Sequence, residues 1–181
     1  GWIAGDNAGK MASTLAYQPR IDPALTAQIK RKLFEILGKP GLFPKEILNE
    51  LREVVSPYDV SILKTEKGIT RALDKMNRIK EELLPNMTAE TPHYLMKANE
   101  VRSIAVITEL YLQASLLRKE TRCGHHRTEY PHRDDQYLGW FLVTKEKGQL
   151  SWTFRPVPLD KYKIKPYRYY VDLFKPKSQT V

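Results

Sequence analysis

Apolar residues recur every three to four positions from Asp22 to about Lys119, the spacing of one face of an α-helix. Leu25, Ile29, Leu33 and Ile36 make a first stripe. Asp22-Pro23 opens it as cap and first helical residue, and Gly38 ends it. Phe43-Pro44 starts a short helix with Ile47, Leu48, Leu51 and Val55, stopped before Pro57. A third amphipathic segment runs from about Asp59 to Leu84 on Ile62, Ile69, Leu73, Met76, Ile79 and Leu83, and Pro85 closes it. Thr91-Pro92 repeats the cap-and-proline start. One long helix then continues to about Lys119, with Leu95, Ala98, Val101, Ala105, Thr108, Leu112 and Leu116 toward a core. Ile104, Ile107 and Tyr111 widen its apolar band, so the pattern predicts the central, most buried helix. Ahead of these, residues Trp2 to Ala16 read as a short helix rich in Ala and Gly, with Gly1, Gly5 and Gly9 along one face. Such a face is a poor helix former by itself and needs a neighbour to pack on.

The period changes after Lys119. Thr121 to Tyr137 is dense in charge and His and reads as an ordered loop. Gly139 to Phe154 alternates with period two: Trp140, Leu142 and Thr144 against Phe141 and Val143, then Leu150, Trp152 and Phe154. This is a β-hairpin turning within Lys145 to Gln149. Arg155 to Val181, with Pro156, Pro158, Pro166 and Pro176 amid Lys and Tyr, reads as an extended basic tail. The expected fold is mainly α, a three- to four-helix antiparallel bundle with a charged loop, a small β-hairpin and that tail.

Composition agrees with a globular chain: 181 residues, 41% hydrophobic and 28% charged. Thirty basic against twenty-one acidic side chains give a net charge of +9, which suits an acidic partner, a nucleic acid or an anionic surface without choosing. A single cysteine, Cys123, excludes an internal disulfide framework and a Cys-rich zinc site, and agrees with a reducing, cytoplasmic compartment. No run approaches the roughly 20 apolar residues that span a bilayer, and no secretory signal opens the chain. The start at Gly1, directly in a helix-like segment, reads as a fragment or a processed piece.

Candidate chemistry gathers between Glu120 and Asp135, where three Arg, three His, four carboxylates and a thiol fall within sixteen positions. Cys123, His125, His126 and His132 are zinc-ligand types, but their spacing fits no paired framework and Arg122, Arg127 and Arg133 would repel a cation. Cys123 beside His125 or His126 is not a nucleophile–base arrangement, since such partners meet through the fold. Arg and His also suit bidentate anion binding, which needs a pocket. The plainest reading is a salt-bridged loop in which Arg122, Arg127 and Arg133 pair with Glu129, Asp134 and Asp135 and dock the loop on a neighbour. The stretch Lys161 to Tyr170 interleaves Lys and Arg with Tyr, a composition open to nucleic acid, but no nucleic-acid-binding fold precedes it and none is expected as partner.

This cluster resembles the signature E-S-R-G-x-H-x-R-x-D-[YF]-P-x-R-D-D late in the flavoprotein subunits of succinate dehydrogenases and fumarate reductases. Adenylylsulfate reductase alpha subunits and L-aspartate oxidases are relatives. The residues read as matching are Glu120, Arg122, Gly124, His125, Arg127, Tyr130, Pro131, Arg133, Asp134 and Asp135. Glu129 stands where the family has Asp, Thr121 where it has Ser, and Cys123 where a small residue is usual. Gly1 to Ala8 is similar to the end of the family's F-G-R-x-A-G-x-x-A helix. The resemblance implies a spectrin-repeat-like C-terminal domain of an FAD-dependent oxidoreductase. On that reading residues 1–18 are the last helix of an upstream FAD domain, 19–138 the helical domain with the loop 120–135, and 139–181 the hairpin and tail. The family's FAD-binding G-x-G-x-x-G is absent here, and its catalytic His and Arg lie upstream. The resemblance therefore implies no catalytic, cofactor-binding or metal-binding residue in this chain. FAD would sit in the full-length parent, whose flavin passes a hydride to or from substrate. The implied partners are the parent's FAD and capping domains and an iron–sulfur or other redox subunit in electron transfer. The implied location is cytoplasmic or peripheral to the inner membrane through a complex, without membrane insertion.

Overall fold

The computed structural model of the protein describes residues 1–17, 20–146 and 149–163. Residues 164–181, which hold most of the Lys161 to Tyr170 stretch and the end of the basic tail, fall outside the described residues, whereas Arg155 and Pro156 close a strand and Leu159–Lys161 forms a 3-10 turn. The described chain is mainly helical with two small sheets. Its helices are α1 (Trp2–Ser13), α2 (Pro23–Phe34), α3 (Pro44–Val55), α4 (Tyr58–Ser61), α5 (Glu66–Arg78) and α6 (Pro92–Leu117). The strands are β1 (Leu63–Lys64), β2 (His126–Arg127), β3 (Gly139–Glu146) and β4 (Gln149–Pro156). Among the described residues no helix is long and apolar enough to cross a membrane.

Helices α3, α5 and α6 pack on one another and hold the core. Ile47, Leu51 and Val54 come from α3, Ile69, Ala72 and Met76 from α5, and Leu95, Ala98, Val101, Ala105 and Leu112 from α6. All are buried, as their helical spacing requires. The starts at Asp22 and Thr91 are capped as expected, and the structure adds a cap at Phe43. Asp22 accepts from the Ala24 N–H at 2.8 Å, Thr91 from the Tyr94 N–H at 3.4 Å, and the Glu46 carboxylate reaches back to the Phe43 N–H at 2.7 Å. Gly38, at φ +71°, turns the chain after α2 so that its N–H meets the Ala89 carbonyl at 2.8 Å.

Four expectations change. The segment from Asp59 to Leu84 is not one helix. It breaks at Ile62, runs extended through β1, and restarts at Thr65, whose hydroxyl caps the Gly68 N–H at 2.9 Å. Past Arg78 it widens into a π turn, Ile79–Leu83, and closes in a 3-10 turn, Leu84–Asn86, that contains Pro85. The break is tertiary in origin: β1 pairs in parallel with β2 of the distant charged loop. Second, α2 buries none of its own residues, and only Ile36, beyond its end, enters the core. Third, Ile104, Ile107 and Tyr111 stay exposed at 39%, 65% and 40%, so α6 is buried along one face only. Fourth, Lys145, Glu146 and Gln149 are strand residues, which confines the hairpin connection to 147–148, outside the described residues.

The hairpin otherwise forms as its alternation predicts, with Phe141 opposite Phe154 and Val143 opposite Trp152. Gly139 is required where it stands, because a Cβ there would run into Phe154 and the Arg155 carbonyl.

Candidate functional site

The charged segment leaves α6 at Arg118, and its first task is to finish that helix. A helix end leaves its last carbonyls without partners. The Arg127 guanidinium swings back to supply donors: its Nη1 bonds the carbonyls of Ser115 at 2.7 Å, Leu116 at 3.3 Å and Arg118 at 3.4 Å. Its positive charge also suits the negative end of the helix dipole. Arg127 is 1% exposed. Its Nε reaches Glu129 at 3.4 Å, and its guanidinium lies 5.2 Å over the Tyr130 ring. Glu129 in turn accepts the Glu66 N–H at 2.7 Å, so it caps α5 from across the fold.

Glu120 is the second hub and has no exposed surface. Its Oε1 accepts from Arg118 at 2.5 Å and Arg122 at 2.8 Å, and its Oε2 from the Asp134 N–H at 3.0 Å. Arg118 also donates to the carbonyls of Tyr137 at 2.7 Å and Gly139 at 2.9 Å, and lies 5.3 Å over Phe141. One guanidinium thus ties the loop to the root of the hairpin. The Thr121 hydroxyl accepts the Arg127 N–H at 3.0 Å and donates to the Tyr130 carbonyl at 2.8 Å, closing the loop on itself. Thr128 N–H bonds the Lys64 carbonyl at 3.0 Å, which continues the β1–β2 pairing.

Electrostatics follow from this geometry. Burial works to raise the Glu120 carboxyl, but bonds from Arg122, the Asp134 N–H and Arg118 outweigh it and hold it below the ordinary value. Glu129 is lowered in the same way: the Glu66 N–H and Arg127 overcome burial. The Glu120 carboxylate raises Arg122 despite burial. His125 is pushed down, first by burial and then by the nearby charges of Lys64, Arg127 and Arg118; its Nε2 sits 3.0 Å from the Arg118 carbonyl.

The expected pairing of three Arg with three carboxylates is met in part. Arg127 does pair with Glu129. Arg122 goes instead to Glu120, with Asp135 at 3.9 Å and the Asp134 backbone carbonyl at 3.2 Å. Asp134 uses its carboxylate on the Gln136 N–H, 2.9 Å away. Arg133 is exposed and forms no ion pair with a described carboxylate. Pro131, His126 and His132 also face outward. Tyr130 is half-buried beneath Arg127.

One assignment within the signature shifts. Arg122 and His125 exchange both backbone bonds at 2.9 Å, leaving Cys123-Gly124 as a two-residue turn. Cys123 takes the left-handed conformation there, at φ +52°. Counted along the signature, its glycine falls at Cys123 and Gly124 occupies the unspecified position, and the left-handed backbone at Cys123 is one that glycine adopts without strain. Arg118, Lys64 and Glu66 complete the network and lie outside the signature. Lys64 is 3% exposed and sits beside Arg127 in register, with its Nζ on the Ser61 carbonyl at 3.2 Å. Only the two-basic-residue flank Arg118-Lys119 hinted at Arg118, and no local signal marked Lys64.

The loop's inner charges are thus spent on one another and on backbone groups. Among the described residues no three His, Cys, Asp or Glu side chains converge as a metal site. A dinucleotide needs a glycine-rich turn between a parallel strand and a helix. Among the described residues the only parallel strand pair is two residues long and is not followed by such a turn, so these residues do not fit a flavin site.

Comparison with known proteins shows what the chain is similar to. The profile described as "Fumarate reductase flavoprotein C-term" matches residues 49–170. An FAD-dependent oxidoreductase of Methanocaldococcus jannaschii is 26% identical over 84% of this chain and 27% of its own. The 8-methylmenaquinol:fumarate reductase flavoprotein subunit of Wolinella succinogenes is 24% identical over 93% of this chain and 29% of its own. Among solved structures, Mycobacterium smegmatis Sdh1 in complex with UQ1 shares the fold at a TM-score of 0.75, with 23% identity over 84% of this chain and 27% of that one. The chain thus spans between a quarter and a third of the length of these relatives. With the family profile covering most of the chain, including the whole ion-paired loop, the protein belongs to the fumarate reductase flavoprotein C-terminal family.

Proposed function

We propose that this chain serves as the C-terminal helical domain of an FAD-dependent oxidoreductase of the succinate dehydrogenase/fumarate reductase type. It braces the FAD-binding body, offers a surface to an iron–sulfur or other redox subunit, and carries no reaction centre of its own. The observation that carries this reading is the burial of Glu120 and Arg127, at 0% and 1% exposed. Glu120 is satisfied by internal donors, and Arg127 spends its Nη1 and Nε on internal acceptors, while its buried Nη2 faces Glu66 at 3.8 Å without a hydrogen bond. They shape the loop from within, and their burial keeps both groups away from solvent and substrate. Among the residues the loop presents outward, the consecutive Pro131, His132 and Arg133 form the docking face.

The bracing surface is the amino-terminal pair of helices. Neither α1 nor α2 buries a residue, yet Trp2, Ile3, Ile21 and Ile29 are 84%, 71%, 82% and 58% exposed. Helices of about 12 residues are marginal in water without an apolar face to pack on. The relatives' names supply the class of body that would cover them.

The test compares the chain alone with the longer parent protein. The purified chain should show no flavin absorbance. In the parent, Leu25→Glu with Ile29→Glu should lower FAD content, while the same pair in the isolated chain leaves the unfolding free energy read from urea titration within about 0.5 kcal/mol, since both side chains are exposed. Stoichiometric FAD on the isolated chain, or full FAD content in the doubly substituted parent, overturns the proposal.

A further inference from the structure

One concavity lies apart from the loop. Helix α6 and the hairpin face each other across a half-open cleft of about 600 Å3, within the size range of small-molecule sites, roughly 300–1,000 Å3. Val106 and Leu110 of α6 and Val143 and Leu150 of the hairpin form its apolar walls. Val106 is 56% exposed, and Val143 and Leu150 are 36% and 37% exposed, so the described protein leaves these walls uncovered.

The polar floor is already satisfied. Lys80 pairs with Glu109 at 2.7 Å. The Gln113 amide donates to the same Glu109 oxygen at 3.3 Å and accepts the Trp152 indole N–H at 3.0 Å. These bonds fix the amide's orientation and leave the floor with no net charge. The strand register puts Lys145 on the same hairpin face as Val143, Leu150 and Trp152, the face turned toward α6. Lys145 lines the cleft, is exposed, and forms no ion pair with a described carboxylate. An inward-turned lysine also discourages edge pairing of a hairpin, but that role asks nothing of Val106 or Leu110.

Apolar walls, a neutral floor and, among the described residues, one unpaired cation at the rim complement a molecule with an apolar body and a single negative charge. We propose that the α6–hairpin cleft binds a small amphipathic anion, an alkyl or aryl group bearing one carboxylate or sulfonate.

Heteronuclear NMR of the full chain, titrated with octanoate and in parallel with octanol, tests this. Octanoate should shift the amides of Val106, Leu110, Val143 and Leu150 saturably. Octanol should bind about fivefold more weakly, the worth of one half-exposed ion pair. Lys145→Glu should weaken octanoate by at least about that factor and leave octanol unchanged. Val106→Trp, at an exposed wall position, should fill the cleft and abolish both responses. The proposal is overturned if the shifts do not saturate or are confined to α1 and α2. It also fails if octanol matches octanoate, if Lys145→Glu keeps the octanoate affinity, or if Val106→Trp keeps the response.

Discussion

Replacing Glu120 by Ala should cost more than any other single change in the loop. The carboxylate is fully buried and takes three donors, from Arg118, Arg122 and the Asp134 N–H. Its two guanidinium partners are themselves only 18% and 16% exposed. Removing the anion leaves two half-desolvated cations facing each other across the space it occupied. Breaking a buried pair on one side costs about 3–5 kcal/mol, and the lower end applies because both guanidinium groups keep backbone acceptors. Against a total stability of about 5–15 kcal/mol, that is a large fraction. Glu120→Gln keeps the shape and one acceptor and should lose about half as much. Urea unfolding followed by circular dichroism reads both changes as shifts in midpoint at constant slope. The pH dependence adds a second signature. The folded-state carboxyl lies below its ordinary value of 4.5. Its stabilisation is therefore present above that value and is lost as pH falls through the lower, folded one. Glu120→Ala should abolish this part of the acid slope. A loss under about 1 kcal/mol, or an unchanged acid slope, would refute the buried-hub reasoning.

Three further outcomes follow from the same geometry. Cys123→Gly should leave the unfolding free energy from urea titration unchanged or raise it by up to about 1 kcal/mol, whereas Cys123→Val should lower it by about 1–2 kcal/mol, because the φ of +52° is left-handed. His125 should titrate below the ordinary histidine value of 6.5 by NMR, since burial and the Lys64, Arg127 and Arg118 charges disfavour its cation. Its contribution to stability is complete above that ordinary value and declines as pH falls toward the folded one, a slope that His125→Gln should remove. Glu129→Ala should destabilise by about 1 kcal/mol through the lost cap on α5, detectable as faster hydrogen exchange at Glu66, whose N–H it holds at 2.7 Å.

Legibility tracked the range of the interactions involved. Caps at Asp22 and Thr91, the stripe of α6 from Leu95 to Leu112, and the alternation of the hairpin are properties of neighbours a few positions apart, and all were readable. The same logic misread the segment from Asp59 to Leu84. Its apolar period continues across Ile62 to Thr65, but pairing of Leu63-Lys64 with His126-Arg127 outweighs one turn of helix there. The width of the α6 stripe misled as well, because Ile104 and Ile107 show what a helix can bury and not what is present to bury it.

Within the loop, the signature's residue types were visible, but their partners were not. The sequence by itself determined a mainly helical chain whose charged segment follows its longest helix, since period, caps and charge density are local quantities. Only the tertiary structure decided that Arg127 ends α6 and that Glu129 begins α5. It also decided that Glu120 draws in Arg118 and Arg122, leaving Asp135 at 3.9 Å from Arg122. The physical reason is that a buried charge takes whichever donor the packed helices bring within reach, and that choice is made only when α5 and α6 meet.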